Sequence, residues 1–231
     1  MAAFPTTRWT LIRRAATPTD ESRQALESLC EQYAAPVLGF VRHRVSSPEK
    51  AEDIAQGFFI QVIERDLLNR ADEDRGRFRT FLLHALRDYM ADVHDFDNAQ
   101  KRGGGKQIVS LDAVSKVEPR HGLTPDREFE LQWVTTLLTH AMGRLEREYR
   151  DSQKLELYNA LRVSLDTDSK LAVSDVAATL RMSETAVRVA CHRMRKRLGQ
   201  IIRLEIAETV PNSADVDDEL KRLMQIVEHR T

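Results

Sequence analysis

Residues 173–198 read VSDVAATLRMSETAVRVACHRMRKRL and divide into two helical patterns around a short turn. Ser183 follows the turn and is a favourable N-cap for the second helix. The small Ala177 falls where the two helices of a helix-turn-helix approach most closely. The turn position often held by glycine is Arg181, where a left-handed backbone costs an L-residue roughly 1–2 kcal/mol. The pattern predicts a helix-turn-helix whose inward positions are Val176, Ala177, Leu180, Met182, Val187 and Ala190.

The second helix of this motif has one apolar face and one basic face. Residues 181–203 contain seven Lys and Arg against a single acid, Glu184, in a chain of net charge −1. A basic second helix in this motif is suited to a DNA major groove. The alternative for a charge run is a solvated bundle face, but the turn motif in front favours DNA. The apolar stripe is Val187, Cys191, Met194, Leu198 and Ile201. The predicted DNA-binding residues are Ser183, Thr185, Arg188, Val189, His192, Arg193, Arg195, Lys196 and Arg197.

The composition of the 231-residue chain favours a helical, soluble protein. Charged residues make up 31%, aromatic residues only 6%, and there are nine glycines. No apolar run approaches the ~18 residues that span a bilayer, and the first residues lack a signal-peptide core, so we expect a cytoplasmic protein without membrane insertion. Cys30 and Cys191 lie far apart on apolar helical faces, which indicates reduced, buried thiols that form neither a disulfide nor a metal site.

The first half of the chain carries several helical patterns with recognisable starts. Ser47-Pro48-Glu49 combines an N-cap, a proline at the first helical position and an acid in the first turn, and Thr124-Pro125-Asp126 repeats this signal. Pro36 predicts a kink or the start of a second helical piece. Gly57 lies in mid-helix at a cost of ~1 kcal/mol relative to Ala, which predicts a close approach to its backbone. The predicted inward residues of two of these helices include Ile54, Phe58, Val62, Ile63, Phe78, Leu82, Leu86, Tyr89 and Phe96.

Two further segments are the glycine-rich run at 101–106, which lacks a helical pattern, and the tail, whose apolar stripe is narrow. The run KRGGGK at 101–106 fails the spacing of a phosphate-binding P-loop and predicts a flexible basic linker. The tail is acidic at 215–219 and then amphipathic, with Leu220, Leu223, Met224 and Val227 as its apolar stripe. A short helix of this kind is marginal alone in water. We expect it to pack on the second domain, with its acids near the basic residues 195–203; a tail free for protein partners is the alternative.

Three motifs in this order resemble those of bacterial RNA polymerase sigma factors of the extracytoplasmic-function group. Residues 51–59, AEDIAQGFF, resemble the helix that binds core polymerase, and residues 78–88, FRTFLLHALRD, resemble the helix that melts and reads the −10 promoter element. Residues 173–198 resemble the reader of the −35 element. The basic residues before three glycines, together with the tail, are similar to a variety abundant in planctomycetes. The chain has Gln56-Gly57 where the family has Gln-Glu, and His84 and Asp88 where many relatives have Arg and Asn.

This resemblance implies an all-α protein of two small helical domains joined by a flexible linker. The domains are a region 2-like domain at 1–102, a linker at 103–124, a region 4-like helix-turn-helix domain at 125–207 and a C-terminal helix at 208–231. The implied partners are core RNA polymerase, promoter DNA and an anti-sigma protein. The implied core-binding residues are Glu52, Asp53, Gln56, Gln61 and Glu64, and the implied −10 residues are Arg75, Arg77, Arg79, His84, Arg87, Asp88, Tyr89, Lys101 and Arg102.

Two other function classes are suggested by single features of the sequence. A two-domain helix-turn-helix regulator needs a ligand or receiver domain in front of the motif, and the first half shows no strand pattern for one. A helical metal phosphohydrolase is suggested by His94-Asp95, but no other histidine has ligand spacing around this pair. We therefore expect no catalytic residues, no cofactor and no metal.

Overall fold

The computed structural model describes residues 12, 15–16, 20–64, 67–72, 76–103, 124–165, 172–207, 210 and 215–228. Within these ranges the chain is helical and contains no strand, which confirms the all-α prediction. Short 3-10 helices lie at Leu67–Arg70 and Arg162–Leu165. The α-helices are α1 (Asp20–Arg42), α2 (Pro48–Glu64), α3 (Phe78–Gly103), α4 (Pro125–Asp151), α5 (Leu155–Leu161), α6 (Val173–Leu180), α7 (Glu184–Ala207) and α8 (Val216–Glu228). None of these helices is both long and apolar enough to cross a membrane.

The three predicted helix starts are confirmed by side-chain caps. The hydroxyl oxygen of Ser47 accepts a hydrogen bond from the backbone N–H of Lys50 at 3.2 Å. Thr124 accepts the corresponding bond from the N–H of Arg127 at 3.2 Å, and Ser183 accepts one at 3.2 Å from the N–H of Ala186, the third residue of α7. Each bond satisfies an N–H group that has no partner inside its own helix.

Helix α1 runs through Pro36 as one element instead of ending there. A proline inside a helix costs about 3 kcal/mol because it removes a hydrogen bond and crowds the preceding turn. Val37, Phe40 and Val41 follow it and are fully buried, so their packing offsets that cost. The local proline signal is therefore overridden by the core.

The compact units of the chain divide it differently from the predicted domains. One unit contains Met1–Thr136 and Ile206–Thr231, and the other contains Leu137–Glu205. The divisions fall inside α4 and α7, because the first turns of α4 bury Phe129 and Trp133 and belong to the first unit. The predicted linker begins at Gly103, the last residue of α3, and its residues 104–123 lie outside the described part of the chain.

The first unit (unit 1) includes α1, α2, α3, the first turns of α4, and α8. Phe58, Phe78 and Leu86 are among its fully or almost fully buried side chains, as predicted. Two predicted core residues are instead exposed, because Ile63 is 50% and Phe96 is 64% accessible. Both lie near the ends of their predicted apolar stripes. The prediction continued a constant helical spacing beyond the residues that face the core.

Helix α8 packs within unit 1, against the beginnings of α3 and α4. The predicted placement of its acids near residues 195–203 was wrong, because Glu219 pairs with Arg77 and Arg79 instead. Its buried stripe is Val216, Glu219, Leu223 and Ile226, at spacings of three and four residues. Met224 and Val227, predicted inside, are 55% and 44% exposed. The predicted stripe differs from the observed one because Glu219 is among the buried residues. The prediction had placed charged residues on the exposed face of the helix.

The second unit (unit 2) contains the predicted helix-turn-helix, α6 and α7. Arg181 ends α6 with φ 51° and ψ 42°, the left-handed conformation predicted for the turn. The backbone N–H of Met182 donates to the carbonyl oxygen of Ala177 at 2.9 Å and closes this turn. The core of the unit includes Leu145, Leu161, Val187, Met194 and Ile201, all fully buried. Cys191 is buried and Cys30 of unit 1 is half-buried; both are free thiols.

Candidate nucleic-acid and polymerase interfaces

The outer face of α7 presents most of the predicted DNA-binding side chains to solvent. This exposed set contains Ser183, Thr185, Arg188, Val189, His192, Arg193, Arg195 and Lys196. Arg188 forms an i,i+4 ion pair with Glu184 at 3.3 Å, and both side chains are more than half exposed. Such a surface pair contributes little to stability, so it leaves the guanidinium available. Among the described residues, no ion pair or hydrogen bond engages the side chains of His192, Arg193 or Lys196.

Two of the predicted DNA-binding arginines are used inside unit 2. Arg195 donates two hydrogen bonds to the carbonyl oxygen of Ser164, at 3.0 Å from Nε and 2.6 Å from Nη2. Arg197 forms a bidentate pair with Glu148, with both N–O distances at 2.7 Å. The hydrogen bond from Arg197 lowers the pKa of the Glu148 carboxyl. These two arginines hold α7 against its neighbours, so any contact they make with DNA competes with an internal bond.

Helix α2 carries an exposed stripe that contains the predicted core-binding residues. Asp53 and Gln56 are exposed, and Ile60 and Ile63 continue the same face at helical spacing with 54% and 50% of their surface accessible. Glu64 is exposed, Gln61 is half-buried, and Glu52 pairs with Arg42 at 3.0 Å. Sequence reasoning missed the two isoleucines, although their spacing from Gln56 was a usable signal. Exposed isoleucines beside acids fit a protein-binding surface better than a DNA-binding one.

The predicted close approach to Gly57 is confirmed by Tyr89. The hydroxyl of this tyrosine occupies the space that a Cβ atom on Gly57 would need, and its Cζ atom lies 3.5 Å from the same position. The ring also packs on Phe58, with centroids 5.7 Å apart. Partial burial raises the pKa of Tyr89. Tyr89 was predicted both as an inward residue and as a −10 residue, and its contacts in the structure are those of the first role.

The beginning of α3 carries a cluster of charges that includes two of the predicted −10 arginines. Gly76 precedes the helix with φ 115°, a conformation that favours glycine. The carboxylate of Glu219 from α8 pairs with Arg77 at 2.7 Å and with Arg79. The guanidinium of Arg79 stacks over the ring of Trp133 at 4.5 Å from its centroid. Arg79 is 3% and Glu219 is 0% exposed, so this pair is closed to solvent, whereas the side chain of Arg77 is 26% exposed.

The other predicted −10 residues are distributed along α3. His84 and Asp88 are exposed, and Arg87 pairs with Asp126 of α4 at 2.5 Å. Lys101 and Arg102 lie in the last turn of the helix, where the side chains are outside the described part, as is all of Arg75. The structure thus brings Arg77 and Arg79 together around the carboxylate of Glu219. The assignment of these residues to DNA stays a prediction.

The described residues show no arrangement suited to metal chemistry. Within these ranges no three His, Cys, Asp or Glu side chains converge on one point. His94 and Asp95, which suggested a metal phosphohydrolase, have their closest ring nitrogen and carboxylate oxygen 3.7 Å apart. The carboxylate is 78% exposed. This pair is an exposed contact between sequence neighbours.

Comparison with known proteins finds a family-model match in the first part of the chain. Residues 29–94 match the family model of sigma-70 region 2. The match begins inside α1, contains all of α2 and ends inside α3, so it includes the exposed α2 stripe but not α6, α7 or α8. No match was found among curated proteins or solved structures. Region 2 of sigma factors binds core RNA polymerase and the −10 element, so the match supports a role in transcription initiation.

Proposed function

We propose that this chain is a sigma factor of the extracytoplasmic-function type that binds core RNA polymerase and directs initiation at specific promoters. The observation that carries the proposal is the sigma-70 region 2 match over residues 29–94. The helix-turn-helix in unit 2 adds the second DNA-binding element that such a factor needs. The planctomycete-like variety, an anti-sigma partner and a cytoplasmic location belong to the same proposal and rest on the sequence resemblance.

In this function the exposed face of α7 reads the −35 element. A helix of this kind enters the major groove and places its side chains against base edges and phosphates. Arg188 and Arg193 are the proposed base or phosphate contacts, with Lys196 on the backbone. Arg195 and Arg197 support the helix from inside unit 2, as their bonds to Ser164 and Glu148 indicate.

The exposed α2 stripe is the proposed contact with core polymerase. Asp53 and Gln56 supply polar groups, while Ile60 supplies apolar area that no described side chain covers. An interface of this composition buries an apolar centre within a polar rim. The residues of α3 then present the −10 element to the polymerase.

The deciding experiment is transcription initiation with core RNA polymerase from the organism that encodes the chain. We expect the purified chain to bind core polymerase and to start transcripts at discrete sites. Asp53→Lys should abolish both, whereas Glu31→Lys, an equal charge reversal on the exposed side of α1, should preserve both. A helix-turn-helix regulator would instead alter initiation only by polymerase that already holds another sigma factor. Failure of the chain to support initiation would refute the proposed function.

A further inference from the structure

The contacts of α8 connect the last described helix of the chain to the beginnings of α3 and α4. Glu219 pairs with Arg77 and Arg79 of α3. Arg222 donates to Glu130 of α4 at 2.7 Å. At the other end of α8, Arg127 donates to the carbonyl oxygen of Ile226 at 2.9 Å, where the negative end of the helix dipole favours a cation. Helix α8 is therefore held at both ends by complementary charge.

The position of Glu219 matters because its carboxylate neutralises two cations, of which Arg79 is buried and Arg77 keeps 26% of its side chain exposed. Its carboxylate is fully buried, and Arg79 beneath it is enclosed by Glu219 on one side and the Trp133 ring on the other. Asp215, at the start of the same helix, adds negative charge near Arg77. A phosphate group carries the same charge and accepts the same bidentate bonds from arginine as a carboxylate does. Arg79 cannot bind a phosphate while Glu219 covers it.

We propose that α8 is an autoinhibitory helix, in which Glu219 takes the place of a nucleic-acid phosphate on Arg77 and Arg79. Single-stranded DNA and α8 then compete for the same two guanidinium groups. Displacement of α8 opens the beginning of α3 to the DNA strand. The proposal rests on the proposed function, since it assigns these arginines to promoter DNA, but it concerns the free chain and is tested without polymerase.

The first test compares two neutralised acids on the same helix. Glu219→Gln removes the buried charge, and Asp218→Asn removes an equal charge from a side chain that is 79% exposed and, among the described residues, pairs with Lys221 of the same helix. The probe is a labelled, mixed-sequence DNA single strand of about 16 nucleotides. We expect Glu219→Gln to bind at least tenfold more tightly than the unmodified chain, the gain for a site that is open no more than about a tenth of the time. Asp218→Asn should bind like the unmodified chain apart from a small electrostatic gain.

The salt dependence provides a second readout of the same two arginines. Each phosphate neutralised on a single strand contributes about −0.7 to the slope of log K against log salt concentration. Once α8 is displaced both arginines contact the strand, so replacement of Arg77 and Arg79 by glutamine in the Glu219→Gln background should make the slope shallower by about 1.4. Equal affinity for Glu219→Gln and Asp218→Asn, including no binding by either, would overturn the proposal and leave α8 a structural helix.

A third test uses the unmodified chain, so its result cannot arise from a folding defect of a variant. Because linkage is reciprocal, DNA that displaces α8 must raise the amide hydrogen exchange of residues 216–228. We expect faster exchange in α8 at saturating single strand and unchanged exchange in α6. Unchanged protection of α8 in the DNA complex would refute the proposal. Initiation with core polymerase tests the proposed function separately, so the two failures are distinguishable.

Discussion

The hydroxyl of Tyr89 fills the position that a side chain at Gly57 would occupy. The two residues belong to different helices, α2 and α3, and lie within the segment that matches sigma-70 region 2. The sequence resemblance gave glutamate as the usual residue at position 57. In this chain a glutamate there would collide with the Tyr89 ring, so the glycine and the tyrosine form one packing solution.

We expect Gly57→Ala to be destabilising only while Tyr89 keeps its hydroxyl. Ala is favoured over Gly inside a helix by ~1 kcal/mol, but overpacking against a ring fixed on Phe58 typically costs 1–3 kcal/mol. In the Tyr89→Phe background the nearest atom is the ring carbon at 3.5 Å, an ordinary contact, so the same Ala should stabilise the protein. Urea denaturation of the four proteins measures this coupling.

Gly143 provides the matched control for this cycle. It also lies in a helix, α4, but nothing stands within 4 Å of the position of its Cβ atom. Gly143→Ala should therefore raise the free energy of unfolding by about 1 kcal/mol in either background. An identical effect of Gly57→Ala with and without the Tyr89 hydroxyl would contradict the proposed steric conflict.

Removal of apolar area from the α2 stripe should weaken the association with core polymerase. Ile60→Ser changes a side chain that is 54% exposed, so the melting temperature should stay nearly constant. Met224→Ser on α8 is the control, because Met224 has an almost equal exposed fraction of 55%. Co-purification with core polymerase should fall for Ile60→Ser alone. Equal association of the two variants would place the polymerase contact elsewhere.

Substitutions on α7 should separate base readout from phosphate binding. We expect Arg188→Ala to cost ~1–3 kcal/mol of promoter-specific binding. Lys196→Ala should weaken binding to all sequences alike and reduce the salt slope by about 1. Titrations of promoter and random duplexes at several salt concentrations measure both effects. Unchanged promoter binding by both variants would show that this helix is not the reader.

The Arg197–Glu148 pair should make unit 2 less stable in acid. The hydrogen bond from Arg197 lowers the pKa of Glu148 in the folded chain, so the folded state binds a proton less readily than the unfolded one. The resulting stability is present above the ordinary glutamate pKa and is lost as the pH falls through the lowered folded value. Glu148→Gln should be less stable than the unmodified chain at neutral pH, and the difference should shrink as the pH falls below the ordinary glutamate pKa. A constant difference in urea midpoint across that range would contradict this linkage.

Truncation after Pro211 should destabilise unit 1 and leave unit 2 unchanged. The shortened chain loses the buried side chains of Val216, Leu223 and Ile226 and leaves Arg79 without its carboxylate partner. Breaking a buried ion pair by removal of one partner alone typically costs 3–5 kcal/mol. Amide hydrogen exchange should increase at the beginning of α3 and stay constant in α6. Faster exchange in α6 would restore the original prediction that the tail supports the helix-turn-helix.

The helix-turn-helix was predictable because each of its signals is local. The cap at Ser183, the left-handed turn at Arg181 and the close packing at Ala177 depend on residues within one or two turns of each other. The position of α8 was not predictable in the same way. The packing of α8 depends on the buried side chain of Glu219. A prediction from the spacing of apolar residues places glutamates on the exposed face of a helix. Only the distant arginines at 77 and 79 reveal why position 219 faces inward.

In the candidate sites, too, some features depend on neighbouring residues and others on residues far along the chain. The polar residues of the α2 stripe and the basic face of α7 follow from helical spacing, whereas the isoleucines of that stripe were missed. The separate roles of Arg195 and Arg197 do not follow from spacing, since they depend on Ser164 and Glu148, which belong to other helices. A count of positive charges treats all these arginines alike, whereas the structure assigns two of them internal partners.

The pairing of Arg79 with Glu219 also sets an order of events during synthesis of the chain. Translation proceeds from the N-terminus, so the arginines at the beginning of α3 leave the ribosome long before their carboxylate partner exists. Throughout that interval a nascent chain holds these cations without Glu219. The cluster closes only after Glu219 has been made, and a message truncated before codon 219 would yield a protein in which it never closes.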